Sequence, residues 1–348
     1  MAAKASVSVR LVDYAVIAFL TFLLGASLGA WTIRPIPPGC DSVSHMAKVQ
    51  FVLWHWPHIR WNHLWGSGMP LFRWYPPLFY YTTAALSKGL HLSINVAMGI
   101  MLFLSFWLTA VGLYLFTWEL VEDRWLSLFA AATTLSIPAF WRLYVVGGLA
   151  ARIPSAAFYP LSLYAAMRYV KDRRSLNLML ASLLVAVSTL FHLSFGATAL
   201  ISVCMLYLIF VEGVSGKLKA IVKTILMTFL FTAWFTIPFV APLPASNLVT
   251  RMPFKYFASS LVVFPLNAMA SNPNPLIIPL TVVLLIMALA KRRVSDRMGR
   301  IVPWSLMTTL ALFTFATQKL DPDCAMVCIT AVSYTHLRAH ETEADLVC

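Results

Sequence analysis

YAVIAFLTFLLGASLGAWTI, residues 14–33, runs for 20 positions without a charge and is followed at once by RPIPPG, residues 34–39. A helix of that length reaches about 30 Å, the thickness of a bilayer's hydrocarbon core. Small residues end the run, so a cleaved signal peptide is the competing reading, but the apolar region of such a peptide is usually shorter. Comparable runs recur along the chain, near 94–118, 126–141, 153–167, 176–191, 196–211, 224–243, 276–290 and 301–317. They are continuous rather than alternating. In lipid only helices or closed barrels satisfy the backbone, so the pattern predicts an all-α polytopic membrane protein with about nine transmembrane helices. Composition agrees: of 348 residues, 60% are hydrophobic and 11% charged, against roughly a quarter charged in soluble domains.

The net charge of +13 would suggest nucleic acid in a soluble protein. Here Lys and Arg mark cytoplasmic loops that meet anionic headgroups, and nucleic acid is not an expected partner. The five cysteines, Cys40, Cys204, Cys324, Cys328 and Cys348, form no disulfide framework and no paired metal motif.

Basic loops set the orientation. KDRR at 171–174, GKLKAIVK at 216–223 and KRRVSDRMGR at 291–300 alternate with loops of lower basic density. Placing them in the cytoplasm with Lys4, Arg10 and Arg124 puts the N-terminus inside and the segment 34–93 outside. Before residue 320, every acid then falls at the cytoplasmic face except Asp41. The outer face carries Arg34, Lys48, Arg60, Arg73, Lys88, Arg142, Arg152, Arg251 and Lys255. Such a surface attracts anions, phosphate above all, and its cations are expected to keep Asp41 ionised.

Asp41 opens the segment DSVSHMAKVQFVLWH, 41–55. Prolines 35, 37 and 38 stop the first helix, and Asp41, Ser42 or Ser44 can cap a new one. On it Asp41, His45, Lys48, Val52 and His55 share one face. The reading is an amphipathic helix on the outer leaflet with a polar edge toward a cleft. The plain alternative for Asp41 is a helix cap. PPLFYYTTAALSKGL, from Pro76, is too short to cross and reads as a partial or interfacial helix. The loop is rich in aromatic residues, including Trp61, Trp74, Tyr75 and Tyr81. They form an interfacial belt, or stack on a sugar and flank an isoprenoid chain. Gly66, Gly68 and Pro70 mark a tight turn.

The last stretch, SYTHLRAHETEADLVC at 333–348, breaks in composition from all that precedes it. It resembles an adapter-derived read-through tail. The expectation is therefore a transmembrane domain over 1–331, truncated at its C-terminus, and a non-native tail over 332–348. His336, His340 and Glu341 within it are not taken as a metal cluster.

The loop motifs combine into a resemblance. Asp41-x3-His45, Arg60-Trp61, Gly68-x-Pro70 and Tyr75-Pro76-Pro77-Leu78-x2-Tyr81 resemble the first outer loop of the 6-pyruvoyl-tetrahydropterin synthase-related membrane family. Arg152-Ile153-Pro154, Tyr159-Pro160-Leu161 and Phe191-His192-Leu193 resemble its later outer-end motifs. Despite its name, that family looks like GT-C-type glycosyltransferases, and nothing in the residues suggests pterin chemistry. The resemblance implies a GT-C-like helical bundle with a large first extracytoplasmic loop, in the cytoplasmic membrane of a prokaryote. It implies a polyprenyl-phosphate-linked sugar as donor and Asp41 as catalytic base. His45, Lys48, Arg142, Arg152, His192 and Arg251 are the candidates for holding phosphate or acceptor, and Trp61, Trp74, Tyr75 and Tyr81 for acceptor or lipid contacts. It also brings in Mg or Mn as a candidate ligand of Asp41. Residue 42, however, is Ser where some such enzymes have a second acid, and a hard cation prefers several oxygens. A lipid-phosphate flippase and a non-catalytic membrane scaffold are the competing functions. The apolar runs contain no Asp, Glu, Lys or Arg, which counts against ion-coupled transport but not against passive lipid movement.

Overall fold

The computed structural model describes residues 2–27, 37, 39–56, 62, 71–72, 75–136, 144 and 147–240. Among the described residues there are nine α-helices and no strand. They are α1 (Ala2–Ser27), α2 (Ser42–His55), α3 (Leu78–Gly89), α4 (Ile94–Val121), α5 (Arg124–Ser136), α6 (Arg152–Asp172), α7 (Ser175–Phe191), α8 (Leu193–Phe210) and α9 (Val214–Val240). Seven overlap predicted spans. The predicted spans at 276–290 and 301–317 lie outside the described residues, as do Trp61, Trp74, Arg142, Arg251, Gly66, Gly68, Pro70 and the tail 332–348. By length and composition, α4, α8 and Val214–Phe239 of α9 are able to cross a membrane. The apolar segments Leu11–Leu23 and Ser175–Phe191 are shorter.

The bundle is built around α6, which packs against α4, α7 and α8. The α4–α6 contact is close because Gly112 has no side chain. A Cβ there would stand 2.9 Å from Pro160 Cγ and 3.1 Å from the Leu161 amide nitrogen. Pro160 lies inside α6 and is buried, so the missing Cβ on one helix accommodates the ring on the other. Ser155 and Ser188 join α6 to α7 reciprocally. Ser155 Oγ donates to the Ser188 carbonyl at 2.7 Å, and Ser188 Oγ donates to the Ser155 carbonyl at 2.9 Å.

The end of the bundle bearing the C-termini of α4 and α6 carries acids neutralised locally. Glu119 meets Lys171 at 2.9 Å and Arg168 at 3.5 Å. Asp13, 1% exposed, is held by Arg124 Nη2 at 2.6 Å and by the Tyr114 hydroxyl at 2.7 Å. These bonds tie α1 to α4 and α5. The opposite end bears α2, α3 and the N-terminus of α6, and Asp41 lies there.

Helix α2 differs from the sequence expectation. Its buried residues are Ser42, His45, Val49, Phe51 and Val52, so His45 and Val52 face the bundle while His55 is exposed. The predicted polar edge is split between interior and surface because α2 packs against α3 and α4. Helix α3 is the short helix expected after Pro76-Pro77, whose Pro77 carbonyl accepts from the Tyr80 and Tyr81 amides.

Candidate functional site

Asp41 immediately precedes α2, with its carboxylate making no capping hydrogen bond to that helix. Its backbone is held instead: the Asp41 amide donates to the Gly147 carbonyl at 3.1 Å. Two glycines make this approach possible. Gly39 (φ +97) and Gly148 (φ +65) adopt the backbone conformation that side chains resist. A Cβ on Gly148 would fall 2.6 Å from the Ser42 nitrogen and 2.7 Å from the Asp41 nitrogen, and one on Gly39 would overlap Gly148. The loop before α6 therefore sits directly on the turn that carries Asp41.

Around this turn the sequence candidates come together. Lys48, two turns along α2, donates from Nζ to Ser44 Oγ at 3.2 Å. Its ammonium lies 5.0 Å from the Tyr75 ring centroid and 5.8 Å from that of Tyr80, within cation–π range of both. His45 Nδ1 is hydrogen-bonded to the Tyr80 hydroxyl at 2.9 Å, and the Tyr75 and Tyr80 rings meet edge-on with centroids 5.8 Å apart. Tyr75 packs edge-on against His192 with centroids 6.1 Å apart. His192 in turn accepts from Arg152 Nε through Nε2 at 3.2 Å.

A guanidinium only donates, so His192 Nε2 is the acceptor in that bond. On the other side of the ring, Nδ1 lies 2.8 Å from Ser194 Oγ and 3.3 Å from the Ser194 amide nitrogen. The ring is partly exposed but closely surrounded by protein. Burial, with the Arg152 charge beside it, holds its pKa well below the usual range. His45 is buried more completely, at 2% exposure. Desolvation, then the charges of Lys48 and Arg152, pull its pKa down to about 3. Both imidazoles are neutral.

Asp41 corrects an expectation. Its partly buried carboxyl is raised above the ordinary carboxylate range, because loss of water outweighs the pull of Lys48 and Arg152. Cations alone predicted the opposite. Lys48, mostly dehydrated, is lowered to about 8 despite Asp41. Burial raises Tyr75 and carries Tyr80 well above the usual phenol value.

Asp41, His45, Lys48, Tyr75, Arg152 and His192 thus form one cluster. Tyr81 stands apart from it, against Trp56 and Phe72 at centroid distances of 5.3 and 5.4 Å. Sequence reading left out Tyr80 as a site residue, though it joins His45 to Tyr75. It also left out Gly147 and Gly148, whose contact with Asp41 no local signal announces.

The cluster fits a divalent cation poorly. It holds one carboxylate and two cations, and no group of three His, Cys, Asp or Glu suited to a metal occurs among the described residues. His45 Nδ1 and both nitrogens of His192 already have hydrogen-bond partners.

Residues 72–227 match the model of the 6-pyruvoyl-tetrahydropterin synthase related domain, described as a membrane protein. The resemblance drawn from the motifs is borne out over that segment, which contains Tyr75, Arg152 and His192 but begins after Asp41. Among solved structures, the chain is similar to the archaeal oligosaccharyltransferase AglB from Archaeoglobus fulgidus, in complex with an inhibitory peptide and a dolichol-phosphate. The TM-score is 0.50 at 15% identity, over 92% of this chain. The chain spans 38% of that protein's length. The likeness establishes an all-helical GT-C-like fold. No curated protein matches the chain.

Proposed function

We propose that this protein transfers a sugar from a polyprenyl-phosphate donor to an acceptor hydroxyl at the extracytoplasmic face of the membrane. The observation that carries this reading is the convergence of Asp41, Lys48 and Arg152 at one end of the bundle, where the Asp41 amide bonds to the loop before Arg152 and Tyr75 packs against both Lys48 and the His192 that holds Arg152. A carboxylate raised by burial is a stronger base than a solvated one, and two cations beside it suit an anionic leaving group.

In the proposed reaction the acceptor oxygen attacks the anomeric carbon as the bond from that carbon to the phosphate oxygen breaks. The bonding pair leaves with the prenyl phosphate. The acceptor's proton passes to the Asp41 carboxylate and then to solvent. Arg152 and Lys48 stabilise the charge gathering on the phosphate. The oligosaccharyltransferase likeness supports this chemistry through the fold alone, and that protein is in complex with a dolichol-phosphate.

The test incubates membranes containing the protein with a panel of radiolabelled prenyl-phosphate-linked sugars and follows label into a lipid-free or new lipid acceptor. Transfer by the wild type, lost in a folded Asp41→Asn variant, supports the assignment. Label crossing vesicle membranes without covalent change would establish a flippase instead. Transfer at the wild-type rate by Asp41→Asn would remove Asp41 from the chemistry.

A further inference from the structure

We propose that Lys48 and Arg152 neutralise the lipid phosphate directly, in the place a divalent cation would take, so that no metal bridges Asp41 to the donor. The identity of the phosphate rests on the glycosyl-transfer reading above; the charge arrangement does not.

Three observations point the same way. First, the donor set is wrong for a hard cation. Such an ion collects about six oxygens, whereas Asp41 is the one carboxylate in the cluster of described residues. Second, the imidazoles are committed elsewhere. His192 Nε2 accepts from Arg152 and its Nδ1 faces Ser194 Oγ, while His45 Nδ1 is bonded to the Tyr80 hydroxyl. Third, positive charge is already built in. The charges of Lys48 and Arg152 both act on Asp41, and a dication seated between them would be repelled by each. An anion there is attracted by both. Lys48 is also held in place rather than left to swing in water, by Ser44 Oγ at 3.2 Å and by the faces of Tyr75 and Tyr80. One phosphate meeting an ammonium on α2 and a guanidinium at the start of α6 would cross-link the two segments already joined by the Asp41–Gly147 backbone bond.

The two arrangements make opposite demands on Asp41. In a metal-bridged site the carboxylate helps to hold the phosphate, so its loss weakens binding. In the directly neutralised site the carboxylate opposes the phosphate charge, so its loss leaves binding unchanged or makes it tighter.

The experiment measures binding of a long-chain prenyl monophosphate, without sugar, to the full-length protein in nanodiscs. It is run with EDTA and with Mn²⁺. Wild-type binding is expected to agree within about twofold between the two conditions, Asp41→Asn to bind as tightly or severalfold tighter, and Lys48→Gln to bind about tenfold or more weakly, the loss of a charge-assisted contact. Lys48→Arg keeps the charge and is expected to recover part of the affinity that Lys48→Gln loses; it separates loss of charge from loss of fold. The proposal is overturned by Mn²⁺-dependent binding, by weakened binding in Asp41→Asn, by Lys48→Gln binding like the wild type, or by no wild-type binding at all. Metal-free binding without sugar transfer would leave it standing while the transferase reading fell. Transfer that requires Mn²⁺ would do the reverse.

Discussion

Arg152 donates from Nε to His192 Nε2 across 3.2 Å, and His192 is itself fixed by Ser194 at the junction of α7 and α8. The guanidinium at the start of α6 is therefore aimed by a neutral imidazole from another hairpin. This makes His192 a positioning residue in the proposed site rather than a cation that meets the phosphate itself.

Replacing His192 by Ala removes a hydrogen bond to a charged group, worth about 1.5–3 kcal/mol. The apparent donor affinity is expected to fall roughly tenfold to a hundredfold. His192→Gln supplies a carbonyl acceptor and is expected to recover part of that loss. The measurement is KM for the donor against kcat across the three proteins. If Ala and Gln lose affinity equally, an acceptor for Arg152 is not what the site requires of residue 192.

Gly148 makes the second structural prediction. Its φ of +65 and the 2.7 Å approach a Cβ would make to the Asp41 nitrogen leave no room for alanine. Gly148→Ala is expected to cost about 1–3 kcal/mol and to displace the turn that carries Asp41. Transfer should fall further than thermal stability alone explains. Gly89 is the control, because a Cβ there meets nothing within 4 Å, and Gly89→Ala is expected to be close to neutral in both assays.

Much of this site was legible in the sequence, and the reason is dielectric. In an apolar chain, Asp41, Lys48, Arg152 and His192 stand out because polar groups at the ends of spans are few and expensive to misplace. The motif after Pro76 marked α3 for a similar reason: two prolines suit a helix start and little else. What the sequence did not show depends on packing between distant segments. Asp41 is raised by desolvation from neighbours including the loop at Gly147, over a hundred positions away, so counting nearby charges gave the wrong sign. The helical period of α2 is plain in the sequence, yet which of its residues turn inward is set by α3 and α4, which split the expected polar edge. Tyr80 reads locally as one more interfacial ring, because nothing near it in the sequence says that its hydroxyl meets His45.

The Asp13–Arg124 pair predicts a purely structural phenotype. Asp13 is 1% exposed and bonds to both Arg124 and Tyr114. Breaking a buried pair by removing one partner costs about 3–5 kcal/mol, with less expected here because Arg124 reaches solvent. Asp13→Ala should lower the detergent-phase melting temperature while leaving the prenyl-phosphate affinity of the surviving folded protein unchanged. A selective loss of affinity at full stability would show the two ends of the bundle to be coupled.

The pH profile follows from the signs of the shifts. Lys48 titrates at about 8, lowered by burial, so its cation is present below that pH and is lost as pH rises through it. The donor's phosphodiester keeps its charge throughout, and donor KM is therefore expected to climb above about pH 8. Asp41 must be ionised to accept a proton, and its carboxyl lies above the ordinary carboxylate range, so the acid limb of kcat should sit higher than a solvated aspartate would place it. His45, at about 3, and His192, well below its usual value, both stay neutral in between. Neither contributes a limb near the usual histidine pKa. Tyr75 and Tyr80 are raised and remain protonated across the same interval. Lys48→Arg carries a charge that does not titrate in this range, so it should abolish the alkaline rise in KM and leave the acid limb where it was. An alkaline limb unchanged in Lys48→Arg would assign it to another group.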